Sequence, residues 1–290
     1  MKKFIATGDW HLKKTVPRCR LEIEEEWLEF QLLLIDDILR LCQDKKVPLL
    51  IAGDLFDRAN PGVGFVNRIS KLFQDYSDIP IYAIAGNHDC PYHNFDLIEE
   101  SGFGTLMVDK IIKTTSQDFS MFHFNYEDGA LLHNELVLCH ELVFEKSVPP
   151  KIEAITAKEL LQKYSAANWV ICGDNHHGFH YEENNRHAII PGSIYVGNAD
   201  QIGYQPKVYY IDTENNFWEP IYLRNPEEML THSYIEEENV RNERIENFIN
   251  SIKSKGKITF SFRDNLENKL KSNTIPKEVK KIISEIKETI

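Results

Sequence analysis

Five short apolar runs along the chain each stop abruptly at a polar group. Residues 4–7 run into Gly8-Asp9-Trp10-His11, residues 47–52 into Gly53-Asp54, and residues 79–85 into Gly86-Asn87-His88-Asp89. Residues 136–139 run into His140, and residues 169–172 into Gly173-Asp174-Asn175-His176. Unbroken apolar stretches of this length predict buried strands. Between the first two, residues 21–44 carry Trp27, Leu28, Leu32, Ile35, Ile38, Leu39 and Cys42 at helical spacing. Residues 63–73 repeat that pattern between the second and third. Strands alternating with helices predict βαβ units and a mostly parallel sheet, the α/β class. Such sheets bind ligands beyond the carboxyl ends of their strands. All five polar groups fall there, so residues far apart in the chain gather at one edge.

After His176 the pattern changes. Residues 188–193, 207–211 and 217–223 read as short strands, and the turn-forming run Asp212-Thr213-Glu214-Asn215-Asn216 makes the last two a hairpin. Near residue 225 the composition shifts to Asn, Glu and Lys. Residues 239–254 read as a helix, 257–262 as a strand and 276–290 as an amphipathic helix. The expected organisation is a main domain over 1–225 and a small α+β unit over 230–290. No internal repeat or low-complexity segment interrupts it.

At 290 residues, 42% hydrophobic and 27% charged, the chain can bury a sizeable core and shows no sign of disorder. The net charge of −12 is uneven. Residues 239–290 hold 12 Lys/Arg against 7 Asp/Glu, a surplus of +5, which leaves −17 on residues 1–238. An acidic body argues against a broad electrostatic grip on nucleic acid. Clustered carboxylates also occur where divalent cations are held, however, and bound cations offset them. The basic tail is either a contact for a polyanion or a solvated helical surface. The five cysteines are odd in number and form no CxxC pair, which argues against a disulfide framework and fits a reducing, cytoplasmic setting. They read as small buried apolar residues, with Cys90, beside the third motif, as a stray candidate ligand. The opening MKKFIA stops at Gly8-Asp9, too early for a signal peptide. No stretch approaches the roughly 18 apolar residues of a membrane helix, so no membrane partner is expected.

Asp9 and His11 stand two apart at a strand end, and in extended backbone i and i+2 face the same side. A Gly precedes Asp54 and another precedes Asn87-His88, letting the backbone turn sharply. Carboxylate oxygen, amide oxygen and imidazole nitrogen together favour manganese, iron or zinc over magnesium alone. A pair of such cations about 3.5–4 Å apart suits in-line phosphoryl displacement.

Taken together, GDWH, GDLFD, GNHD, His140 and GDNHH resemble the calcineurin-like metallophosphoesterase superfamily. Within it, GDWHL and GDLFDR most resemble the SbcD-like double-strand-break repair nucleases, over about residues 1–215. The resemblance implies a four-layer α/β/β/α sandwich with a small C-terminal α+β cap. It implies an exo/endonuclease cutting DNA phosphodiesters with two divalent metals, manganese first and iron or magnesium as alternatives. It also implies DNA, an SMC-like ATPase of the SbcC type and a second copy of the chain as partners. The ATPase-docking segment would be shortened to the final helix or absent, and the dimer would use residues 63–73 and 95–103, whose apolar residues read equally well as core. By position, Asp9, His11 and His176 hold one metal, Asn87 and His140 the other, and Asp54 bridges them. His88 sits over the scissile phosphate, and Asp89 orients it. The last motif departs from the family's Gly-His-x-His. Asp174 stands where a His normally binds the second metal, as a ligand or only as a neighbour of one. His177 is the rival of His176. His93, His123, His133, His180, His187 and His232 read as surface or satisfied histidines. Trp10 and Phe56 read as core, with substrate contact as the alternative. Arg58 and Asn60 line the cleft or lie on a surface loop, and Tyr195 is a candidate to flank a substrate base. A small-molecule or phosphoprotein phosphatase would share this site, and a weakly active architectural partner of the ATPase is a further alternative.

Overall fold

The computed structural model describes residues 3–114, 121–124 (backbone only), 136–201, 203–231 and 233. The chain divides into two units, Met1–His232 and Ser233–Ile290. The small α+β unit expected over 230–290 therefore lies almost wholly outside the described residues. So do His133 and His232, and the side chain of His123.

The first unit runs β1 (Lys3–Thr7), α1 (Glu24–Lys45), β2 (Leu49–Ala52), α2 (Val63–Asp75), β3 (Ile81–Ile84) and α3 (Gly102–Val108). It continues with β4 (Met121–Phe124), β5 (Leu136–His140), β6 (Val143–Phe144), β7 (Ile155–Thr156) and α4 (Ala157–Lys163). The last strands are β8 (Trp169–Gly173), β9 (Phe179–Glu183), β10 (Arg186–Ile190), β11 (Lys207–Asp212) and β12 (Phe217–Tyr222). Two five-stranded sheets form, ordered β12-β11-β1-β2-β3 and β4-β5-β8-β10-β9.

The layers follow from strand alternation. In β2, Leu49 and Ile51 pack with the buried faces of α1 and α2, while Leu50 and Ala52 pack against the second sheet. A strand carrying apolar residues on both faces is one buried on both faces. Phe4, Leu50, Leu138, Trp169, Ile171 and Ile211 fill the space between the sheets. Val137, Val170, Ala188 and Ile190 face the other way and pack against α4. The result is the expected α/β/β/α sandwich.

Helix α1 opens with Glu24, Glu25 and Glu26, whose charge suits the positive end of the helix dipole. It ends at Lys46 in the left-handed region, whose N–H returns to the carbonyls of Cys42 and Gln43. Helix α4 starts on a reciprocal Thr156–Glu159 cap.

The expectation of a mostly parallel sheet needs correction. Within the two five-stranded sheets, parallel pairs (β1–β2, β2–β3, β5–β8, β8–β10) are matched by antiparallel ones (β1–β11, β11–β12, β4–β5, β9–β10), and β6–β7 is a further parallel pair. Two of the antiparallel pairs, β9–β10 and β11–β12, are hairpins with short turns after His176, and a hairpin can only pair antiparallel. In the two stretches expected to dimerise, Phe65, Val66, Ile69, Phe73, Ile98 and Phe103 are buried, Leu72, Phe95 and Leu97 are half-buried, and Val63 is 78% exposed. No helix among the described residues is long and apolar enough to cross a membrane.

Candidate metal centre

The carboxyl ends of β1, β2, β3, β5 and β8 meet where the two sheets touch. Glycine makes that approach possible. A Cβ on Gly173 would overlap the Ala52 carbonyl, and one on Gly86 would overlap the Asp54 carboxylate. The backbone is also strained there. Asp9, His11, Asp54 and Asp174 all hold left-handed φ values, of 51°, 41°, 50° and 82°. Each such residue costs on the order of 1–3 kcal/mol and persists only where surroundings enforce it. Here the loops hold one another: His11 N–H donates to the Asp54 carbonyl (2.9 Å) and Asp9 N–H to that of Gly53 (3.1 Å).

The side chains converge with few donors among them. Asp54 Oδ2 lies 3.4 Å from His11 Nε2 and 3.4 Å from His140 Nε2. His11 Nε2 and His176 Nε2 are 3.0 Å apart. His140 Nδ1–H donates to the Ala52 carbonyl (2.8 Å), so the Nε2 lone pair faces inward, 3.2 Å from Asn87 Oδ1. Asp9 Oδ2 and Asp54 Oδ2 are buried with no hydrogen-bond partner. Buried carboxylate oxygens are normally paired. Orphaned oxygens facing imidazole nitrogens leave a place for cations, so the residues present fit divalent metals. Three sets here are compact enough to hold an ion: Asp9, His11 and His176; Asp9, Asp54 and His140; and His11, Asp54 and His88.

The protonation pattern agrees. Burial, with the charges of Asp54 and Asp174, pushes Asp9 up to about 7, against the pull of His140. Burial also acts to raise Asp54, but His140, His11 and His88 outweigh it and hold that carboxyl down at about 2. His140 is raised to about 10: Asp54, Asp9 and Asp174 overcome a burial that alone would lower it. Burial drives His11 well below its ordinary value, and His176 is lowered for the same reason. In the metal-free protein, a proton on His140 occupies the place of a cation.

Each expected ligand can now be located. Asp9, His11, Asp54, Asn87, His140 and His176 come together. Asp174 stands at the rim, one third exposed, with Oδ1 3.9 Å from His140 Nε2, while its N–H donates to Asp9 Oδ1 (2.8 Å). His177 points away, half exposed, toward Asp200. His88 donates its N–H to Asp54 Oδ1 (2.9 Å) and its Nδ1–H to the Asp57 carbonyl (2.9 Å), and its ring lines the cavity.

Two expectations fail. Asp89 does not orient His88. It is fully buried, and its carboxylate accepts the N–H groups of Leu55, Phe56 and Gly86, tying the loops after β2 and β3 together. Its catalytic assignment falls with that contact, because three backbone donors claim both oxygens. Burial and the charge of Asp54 push it up to about 7 against those donors. Tyr195 lines the metal-centre cavity, but at 2% exposure its ring is too enclosed to stack on a substrate base. Its hydroxyl is buried and donates to the His11 carbonyl (2.6 Å). Trp10 and Phe56 are core, and Cys90 is a buried thiol turned to the Gly86 carbonyl and pushed up to about 12 by burial. Sequence reasoning missed Asp57 and Lys13. The Asp57 carbonyl fixes His88, and its carboxylate holds Lys13 Nζ (2.6 Å) at the cavity wall.

The model of the calcineurin-like phosphoesterase family matches residues 2–178, which hold every residue of this cluster. The chain belongs to that family. Calcineurin-like phosphoesterases are hydrolases that use divalent metals, in keeping with the donor set. Among solved structures, an archaeal phosphodiesterase is similar at 16% identity, covering 76% of this chain and 99% of its own, with a TM-score of 0.43. A Thermus thermophilus protein, TT1561, aligns at 10% identity over 77% and 99%, TM-score 0.43. A zinc-complexed Vps29 from Entamoeba histolytica aligns at 11% identity over 76% and 98%, TM-score 0.38. Likenesses this distant say nothing about substrate.

Proposed function

We propose that this calcineurin-like phosphoesterase is a manganese-dependent DNA phosphodiesterase, the exo/endonuclease subunit of an SbcCD-like repair or recombination complex. One observation carries the diesterase part. The metal-centre cavity, about 240 Å³, shares Asp57 and His88 with a second cleft of about 580 Å³. That second cleft is lined by Arg58, Asn60, Tyr92 and His93, with Tyr92 93% exposed. A monoester needs no such extension. A phosphodiester has a second substituent, and an exposed aromatic ring with a guanidinium beside it suits a stacked base and its phosphate. The nuclease branch rests further on the sequence pattern GDWHL and GDLFDR.

Asp9, His11 and His176 would hold one cation, Asn87 and His140 the other, with Asp54 between them. Two divalent ions there supply positive charge to phosphoryl oxygens and lower the pKa of a water toward neutrality. The chain's own residues do the rest. With Nδ1–H committed to Asp57, His88 presents Nε2 to the cavity, where it can hold a proton for the departing oxygen. Lys13, drawn back by Asp57, adds positive charge at the wall. Tyr195 and Gln31 brace the loop that carries His11, through the His11 and Lys13 carbonyls.

The test is cleavage of end-labelled single- and double-stranded DNA with manganese, against His88→Ala as control. His88→Ala is expected to keep metal and lose turnover. DNA left intact over a range of enzyme and manganese concentrations would end the nuclease reading. Faster turnover of aryl phosphate monoesters than of DNA would favour a phosphatase, which the acidic body of −17 suits.

A further inference from the structure

A second cluster of ligating side chains lies away from the phosphoesterase centre, on the β9–β10 hairpin. His180 and Glu182 are two apart on β9, and His187 on β10 pairs directly with Glu182. All three therefore project from one face of a two-stranded ribbon. His180 Nε2 lies 3.1 Å from His187 Nδ1, and Glu182 Oε2 lies 3.8 Å from the same atom. All three donor atoms fall within 4.8 Å of one another. Donors about 2.0–2.1 Å from a tetrahedral cation stand roughly 3.4 Å apart, a value that these two distances bracket.

The hydrogen bonds around the cluster fix the tautomer of His187. Asn216 Nδ2 donates to Asn185 Oδ1 (3.2 Å), which leaves Asn216 Oδ1 turned to His187 Nε2 (2.9 Å). His187 must then carry its hydrogen on Nε2, and its Nδ1 lone pair faces Glu182 and His180. An outer amide that orients a ligating imidazole in this way is a regular feature of metal sites. Trp169 stacks on His187 and Trp218 lies against His180, both with centroids 4.0 Å apart, so the rings are held in place. Burial lowers His187 and brings His180 down to about 4, a direction that favours the neutral form of each ring. Glu182 is about half exposed, which leaves the cluster open to solvent on one side.

We propose that His180, Glu182 and His187 form a third metal site, for zinc or a similar borderline cation, with water completing the shell. Two imidazoles and one carboxylate suit such an ion better than magnesium or calcium. His187 pairs with Trp169, four residues before Gly173 on β8. That places the site roughly 13 Å along the sheet from the catalytic edge, at 3.3 Å per residue. Asn216 belongs to the β11–β12 turn of the other sheet, so an ion here ties the edge hairpin of one sheet to the turn of the other.

The experiment is zinc loading of the full chain after chelation, with metal counted per chain and anomalous scattering recorded at the zinc edge. Wild type is expected to show a peak between His180, Glu182 and His187 besides those at the phosphoesterase centre. His180→Ala and Glu182→Ala, both at partly exposed positions, should each lose that zinc alone and keep phosphoesterase turnover. Asn216→Gly, which keeps the left-handed turn and removes the amide, should weaken zinc binding there by about 10–100-fold. Anomalous peaks confined to the cluster of Asp9, His11, Asp54 and His140 would overturn the proposal. So would equal zinc counts in wild type and in both alanine variants.

Discussion

Tyr195→Phe isolates one hydrogen bond and asks what it does for the metal centre. The Tyr195 hydroxyl donates to the His11 carbonyl at 2.6 Å, and the ring is 2% exposed. Its contact with Trp27, edge-on at 4.9 Å between centroids, survives in phenylalanine, so the change removes an oxygen and leaves the packing. The His11 carbonyl is then buried without a donor, which costs about 1–3 kcal/mol. At about 2–4 °C per kcal/mol for a domain of this size, the melting temperature should fall by roughly 2–12 °C. The second consequence is local. His11 holds φ of 41° against an intrinsic preference, and Tyr195 is one of the two bonds that pin it. Once released, the imidazole drifts from His176 and Asp54, and metal affinity should fall by about 10–100-fold, as for other groups that position ligands. The assay is turnover against manganese concentration, read beside calorimetric metal titration. The apparent metal constant should rise while the plateau rate stays near wild type, because the hydroxyl that is removed is committed to the His11 carbonyl. An unchanged metal constant with an unchanged melting temperature would refute the reasoning. A plateau loss at saturating metal would show that Tyr195 acts on the reaction itself.

Three other outcomes can be checked. Gly86→Ala should abolish metal binding and turnover, because its Cβ would displace the Asp54 carboxylate and backbone N–H; metal content after gel filtration decides it. Metal loading near pH 6 should release protons, since the metal-free chain holds them on Asp9, raised to about 7, and on His140, raised to about 10. Both groups bind protons more tightly without the cation, so metal affinity must climb as pH rises toward 7. Loading heats independent of the buffer's ionisation enthalpy would contradict this. Arg58→Ala and Tyr92→Ala should each raise KM for DNA several-fold, with turnover of a small aryl diester unchanged, if the neighbouring cleft holds the second substituent.

The site was far more legible in the sequence than its supports were, and the reason is physical. A strand buried on both faces must be apolar throughout, so the first polar residue after it announces the sheet edge. Asp9, Asp54, Asn87, His140 and His176 each carry that signal within four residues of a strand's last residue. Strand β9, Phe-His-Tyr-Glu-Glu, gives none: its residues are mostly half-exposed, and only pairing with β10 makes it a strand. The supports are harder still to read, because their work is done by backbone atoms or across the fold. Asp57 fixes His88 through a carbonyl that every residue type possesses, and Tyr195 reaches His11 from 184 positions away. Asp89 sits beside His88 in the chain, yet its carboxylate is turned to three amides of the strand-end loops. The family resemblance implied that it orients its neighbour, whereas a buried carboxylate goes to the unpaired N–H groups within its reach. The tight turn that brings Asp54 and His88 together leaves such groups exposed inside the fold. Any chain that places two ligand-bearing loops this close needs an acceptor between them, and that requirement, rather than the chemistry of phosphate, accounts for an acid at position 89.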